Sequence, residues 1–280
     1  MITLSSSGSP IIDVGLGVYR FLPNTEHVGP GVFRSGGRRI SVKGCAFELA
    51  DRVRLEGLTL DGRSALEVGD QNQVVGFCAD PPVHDVSATV LDCIISGRSF
   101  GVYVWSGSRI EVNVKRSMVE VGRWAVCAGG SGGADNQTIN LEDSNLIADF
   151  DAHRGAGGDI GASCAGIVAR GGVVAQTGGT IRCKGSSLVD TLGRPYIDRV
   201  VGAYCTPQPK PGPWGEGKWP LVVLNDVDCK VLANGSSEAL DAIADIGKIL
   251  IIGGRGSGPS GEWIVRGNVE CTGGAREIRR

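Results

Sequence analysis

VRLEGLTLDG (53–62) reads as an apolar residue, Leu55, two interrupting residues, Glu56 and Gly57, and then a short strand that alternates apolar and polar. Six later segments superimpose on it: TVLDCIISG (89–97), NVKRSMVEVG (113–122), NLEDSNLIAD (140–149), RCKGSSLVDT (182–191), VLNDVDCKVL (223–232) and VRGNVECTG (265–273). Their anchors fall at Val90, Val114, Leu141, Cys183, Leu224 and Arg266, the last departing from the apolar rule. Successive anchors are 35, 24, 27, 42, 41 and 42 residues apart, so the repeat varies in length. A second block follows six of the seven: SALEVGD (64–70), FGVYVWSG (100–107), WAVCAGG (124–130), AGIVARGG (165–172), VGAYCTP (201–207) and KILIIGG (248–254). From the anchor to the equivalent residue of this block is about 11 residues in the first three repeats, at Leu66, Gly101 and Ala125, and about 25, 19 and 25 in the next three, at Gly166, Gly202 and Ile249, so the extra residues enter at one place.

Short strands broken by Gly, Asn and Asp turns at this spacing predict an all-β parallel β-helix, a solenoid of about seven coils with loop insertions in coils 4–6. No coil can bury its apolar face alone, so inward Val, Ile, Leu, Cys and Ser form ladders through the stack. Residues 1–35 are assigned to an N-terminal cap or docking segment and 36–280 to the β-helix domain. The runner-up, a two-sheet sandwich, needs Asn-Gly hairpin turns, and the one such dipeptide is Asn234-Gly235.

Composition agrees. Gly makes up 45 of 280 residues and aromatics 5%, which suits many short strands and turns. A net charge of −2 argues against nucleic acid as a partner. No apolar run has the length of a membrane span or a signal peptide, so the expectation is folding in the cytoplasm without a cleaved signal and without membrane insertion. The nine Cys show neither a CxxC pair nor zinc spacing and read as reduced core residues.

On this repeat, DFDAHRGAGGDIG (149–161), TLGRPYIDR (191–199) and ANGSSEALDAIADIG (233–247) become stacked insertions at one corner of coils 4–6. They gather Asp149, Asp151, His153, Arg154, Asp159, Arg194, Tyr196, Asp198 and Arg199 into a candidate cleft. Elimination from a uronic acid needs a cation and a base, for which His153, Arg154, Tyr196 and Arg199 have the chemistry. Hydrolysis needs two carboxylates about 5–9 Å apart, and Asp149, Asp151 and Asp198 supply candidates. Asp-x-Asp is poor evidence for Ca²⁺, which wants six to eight oxygens, so no cofactor and no metal is expected. Two further groups could hold a sugar by ring stacking and charge: Lys210, Trp214, Lys218 and Trp219 in the 206–220 insertion, and Tyr103, Trp105 and Trp124, with Arg123, on neighbouring coils. His27 and His84 stand alone in turn-rich loops.

GLGVYRF near the start, RRISVKG followed by RVRLEGLTLDG, and the repeats after them resemble the right-handed β-helix proteins of the pectate-lyase-like superfamily over about residues 10–275. That resemblance implies a right-handed solenoid. It leaves activity open, because members include polysaccharide lyases, glycoside hydrolases, phage tailspikes, fibres and adhesins. The paired Asp and Gly-His-Gly elements of polygalacturonases and the Arg-containing strand motif of pectate lyases are not found here. The expectation is therefore a non-enzymatic structural or glycan-binding component of a virion or surface assembly, extracellular after assembly. Its partners would be a polysaccharide and other subunits, a homotrimer among the arrangements. The alternative is a lyase or glycoside hydrolase acting on an acidic polysaccharide in the cleft of coils 4–6.

Overall fold

A computed structural model describes residues 11–13, 19–34, 45–62, 73–77, 86–104, 110–129, 137–152, 162–185, 197–207, 220–235 and 237–280. Every described regular element is a β-strand and every pairing is parallel. The architecture is a right-handed parallel β-helix. Before the first coil come β1 (Ile11–Asp13), β2 (Tyr19–Arg20), β3 (Glu26–Arg34) and β4 (Cys45–Glu48). The first coil contains β5 (Val53–Gly62) and β6 (Gln73–Phe77). The second has β7 (Val86–Leu91), β8 (Ile94–Gly97) and β9 (Phe100–Val104), and the third β10 (Ile110–Lys115), β11 (Met118–Val121) and β12 (Trp124–Ala128). The fourth has β13 (Gln137–Glu142), β14 (Asn145–Asp149) and β15 (Ala162–Ala169), and the fifth β16 (Val173–Thr177), β17 (Thr180–Gly185) and β18 (Ile197–Cys205). β19 (Leu221–Asn225), β20 (Asp228–Ala233) and the first half of β21 (Glu238–Ile252) form the sixth. The second half of β21 opens the seventh, which passes Arg255 into β22 (Trp263–Thr272), and β23 (Glu277–Arg279) follows.

Stacked coils build three sheets. Sheet A runs β7, β10, β13, β16, β19 and the second halves of β21 and β22. Sheet B runs β8, β11, β14, β17 and β20. Sheet C runs β9, β12, β15, β18, the first halves of β21 and β22, and β23. The described residues supply more rungs than the expected seven, because β3 already pairs in parallel with β5 and puts Phe33 in the same core.

Two local devices make each coil turn. Between sheets A and B left-handed residues bend the chain: Asp92, Arg116, Asp143 and Asp226 singly at φ 51, 44, 48 and 49°, with the consecutive pairs Gly178–Gly179 and Gly253–Gly254 starting in the same column. Their N–H groups donate along the stack, from Asp92 to Lys115 O, Arg116 to Glu142 O, Asp143 to Thr177 O and Gly178 to Asn225 O. Just inside, the Cys93 N–H donates to Ser117 Oγ (3.0 Å) and the Ser117 N–H to Ser144 Oγ (3.3 Å), so the buried turn leaves these amides satisfied. In sheet C each coil contributes a five-residue unit: FGVYV (100–104), WAVCA (124–128), AGIVA (165–169), VGAYC (201–205) and LDAIA (240–244). Its first and fourth residues lie on the outer face and its third and fifth in the core. The second must be small where coils stack closely: a Cβ on Gly202 would sit 2.5 Å from both Asp241 O and Cys229 Sγ.

The register corrects the sequence alignment. Val90, Val114 and Leu141 do align, but the next residue in the column is buried Gln176, not Cys183, followed by Leu224, Ile251 and Cys271, not Arg266. A buried Gln hid that rung; its Nε2 donates to Ser144 O at 3.1 Å. In the first coil the sheet C strand is β6, while SALEVGD lies outside the described residues. KILIIGG belongs to sheet A, and LDAIA takes its place in sheet C. From Glu238 the sixth insertion is therefore not a loop, since Glu238–Ile252 is one continuous strand.

Candidate functional site

The corner between sheets B and C carries long connections in the fourth and fifth coils, after β14 and β17. At its entrance DFD splits by alternation. Phe150 is buried in the core and its N–H donates to Lys184 O, while Asp149 and Asp151 face outward. Asp149 Oδ1 accepts the N–H groups of Asp151 and Ala152, both at 3.0 Å, and so caps the strand end. Asp151 lies 3.6 Å from Lys184 Nζ. Asp198 is exposed at the start of β18. His153, Arg154, Asp159, Arg194 and Tyr196 lie outside the described residues, as do Trp105, Lys210, Trp214, Lys218 and Trp219.

Arg199 turns onto the outer face of sheet C. Its Nη1 donates to Tyr204 Oη at 3.0 Å, Tyr204 Oη donates to Asp245 Oδ2 at 2.8 Å, and Arg199 and Asp245 are 3.7 Å apart. Burial pushes the Tyr204 phenol above its usual range, with Thr206 opposing the shift and Asp245 reinforcing it. One coil on, Arg266 Nη1 grips both oxygens of Glu238 at 3.0 and 2.9 Å. These polar groups flank an apolar strip of Val201, Leu240 and Ile243.

The aromatic group of the second and third coils does assemble. Trp124 and Tyr103 pack on Phe100 with centroids 4.9 and 5.5 Å away, and Arg123 and Arg170 lie 5.5 and 4.6 Å from the Trp124 ring. Tyr103 and Trp124 are 2% and 7% exposed, so their ring faces serve packing rather than an open platform.

Sheet B presents the most pronounced charge feature near the corner, and sequence reading passed over it. Arg182 and Lys230 are exposed and directly opposed on adjacent strands. Neither has an ion-pair partner among the described residues, and like charges so placed repel. Lys184 lies two residues along β17, and exposed Arg255 pairs through its backbone with Asp228 on the far side. Ile147 beside Arg182 and Leu232 beside Lys184 add apolar surface, Leu232 being 49% exposed. The signal was available in TIRCKG and DCKVLA, whose alternation puts Cys inward and the cations outward. It was lost when Cys183 was aligned as a sheet A anchor.

At the N-terminal end a cavity of about 390 Å³ is lined by Tyr19, Arg20, Leu22, Asn24 and His27 among others. Its charged groups are paired, Arg20 with Glu48 (2.8 Å) and Glu26 with Arg54 (2.9 Å). Burial holds the His27 imidazole below its ordinary pKa. Among the described residues no group of three or more His, Cys, Asp or Glu could hold a metal, and no helix is long and apolar enough to cross a membrane. No protein-family model, no curated protein and no solved structure matches the chain.

Proposed function

We propose that the chain is a non-enzymatic β-helical scaffold that binds an acidic glycan beside the corner of its fourth to sixth coils. The observation that carries this is the opposed, unpaired Arg182–Lys230 pair on a rigid sheet, flanked by Lys184, Arg255 and exposed aliphatic surface. Carboxylates or sulfates relieve the repulsion, and Ile147 and Leu232 suit the apolar faces of pyranose rings. Asp149 and Asp228 fit hydroxyls but would repel a continuous phosphate backbone. Three of the four described acid–base candidates have structural work: Asp149 caps a strand, Asp151 meets Lys184, and Arg199 is tied to Tyr204 and Asp245, while Asp198 is exposed at the start of β18. Membership of a virion or surface assembly rests on the superfamily resemblance alone.

One observation favours a lyase as second reading: Arg199 beside Tyr204 supplies a cation next to a phenol. The raised pKa of Tyr204 works against the phenolate that such a base requires. Binding and turnover on a polyuronate and on a sulfated glycan separate the two. The scaffold reading expects salt-sensitive binding, no unsaturated product and no new reducing ends, with Arg182→Glu/Lys230→Glu weakening binding at least about tenfold. Turnover abolished by Tyr204→Phe overturns it, as does binding that the double variant leaves unchanged.

A further inference from the structure

The outer face of sheet A changes character along the solenoid. In the second to fourth coils it shows Ser87, Thr89, Glu111, Asn113, Lys115, Thr138, Asn140 and Glu142. From the fifth to the seventh its middle column is Ala175, Val223 and Leu250, in register on three adjacent strands, with Val173 and Leu221 at one end of the rungs and Ile252 at the other, all half-buried. The charges on this face are largely answered within it. Lys115 Nζ lies 2.7 Å from Glu142, Lys248 pairs with Glu270, and Glu111 accepts from Asn113 Nδ2 at 3.2 Å. Asn140 Nδ2 donates in turn to Asn113 Oδ1 at 3.0 Å. A flat, neutral face with an apolar centre contrasts with sheet B, whose unpaired cations would repel a copy of themselves.

We infer that this face pairs two copies of the chain, side by side, about a two-fold axis parallel to the solenoid. Such an axis sets each coil against its own counterpart and reverses strand direction across the interface, so the ends of each rung exchange and its middle meets itself. Glu111 then opposes Lys115 of the partner subunit, and Lys115 opposes the partner's Glu111. The middle column meets its own kind: Thr89, Asn113 and Asn140 as hydrogen-bonding pairs, Ala175, Val223 and Leu250 as apolar contacts. Glu270 also meets itself, at the end of the column, where Lys248 neutralises it.

Area selects this axis over one perpendicular to the sheet. From β7 to the second half of β22, rungs about 4.8 Å apart and about 16 Å wide give roughly 1,100 Å² over both copies, above the approximately 1,000 Å² expected of a specific interface. A perpendicular axis centred on Val223 overlaps only the later rungs and falls below that figure.

The test is sedimentation of the full chain, with far-UV circular dichroism to check folding. The wild type is expected at twice the monomer mass. Val223→Lys and Leu250→Lys should stay folded and raise the dissociation constant at least about tenfold, the equivalent of about 1.4 kcal/mol. Register is read separately: under oxidised glutathione Val223→Cys should cross-link to itself, whereas Glu111→Cys should cross-link only when Lys115→Cys is also present. A monomer at high concentration, a trimer, a dimer indifferent to both lysine substitutions, or efficient self-cross-linking of Glu111→Cys alone overturns the inference.

Discussion

Asp241 occupies the position that is Gly or Ala in the four preceding sheet C units, and it is fully buried. The carboxylate fits because the seventh coil brings a turn, not a sheet B strand, against it. Oδ2 accepts the N–H groups of Ser257 (2.9 Å) and Ile264 (2.7 Å), and Ser257 Oγ donates to Oδ1. Ser257 Oγ in turn accepts the Val231 N–H at 2.8 Å, tying the last coil to the sixth. Asp241→Ala should therefore cost about 2–4 kcal/mol by orphaning buried donors, measured by urea unfolding. Burial outweighs these bonds and raises the Asp241 pKa above 3.8. Between the ordinary and the raised value the folded state binds more protons than the unfolded, so this group's contribution to stability falls as pH rises through that window. Asp241→Asn should lack that component, seen as a smaller difference in urea midpoint between about pH 4 and pH 7. An equal difference in both proteins would refute it.

At the scale of the strand, the sheet C unit is set by close stacking. Each unit keeps two consecutive residues inward, its second and third, so the second approaches the neighbouring coil's backbone. Gly101 faces Ala125 O at 2.4 Å and Gly166 faces Gly202 O at 2.9 Å, measured from the Cβ each lacks. Gly202→Val should destabilise by about 1–3 kcal/mol or more through overpacking against Asp241 and Cys229, with a lowered thermal midpoint as the readout. The same substitution at Gly235, a turn residue at φ 73° beside exposed Asn234, tests backbone strain without a core. The units FGVYV, WAVCA, AGIVA and VGAYC were visible in sequence because a small residue between apolar ones recurs. LDAIA was missed because Asp replaced the small residue. The rung at Gln176 was missed because a buried amide replaced the apolar anchor.

At the scale of the whole molecule, six of the seven cysteines whose side chains are described behave as core residues, Cys271 being only partly buried. Cys93, Cys127, Cys164, Cys183, Cys205 and Cys229 are buried free thiols, distributed over sheets and turns rather than paired. Burial pushes Cys127, Cys164 and Cys205 up to about 12, and Cys183 and Cys229 well above 9.0. The unfolded thiols ionise first, so stability should be steady below about pH 9 and then fall by up to about 1.4 kcal/mol per pH unit for each such thiol. Unfolding midpoints between about pH 8 and pH 10.5 check this, and a flat profile above pH 9 would contradict it. The repeat, the parallel solenoid, the inward cysteines and the first two corner insertions were determined by sequence alone, because period and alternation depend only on which side chains can share an interior. Only tertiary structure decided which rung lies on which: a slip of one element moves Arg182 and Lys184 from an outer face to a supposed corner. The neutral face of sheet A and the cation pair of sheet B exist only across coils, between residues some 25 to 50 positions apart, and pairings at that distance follow from register rather than from local pattern.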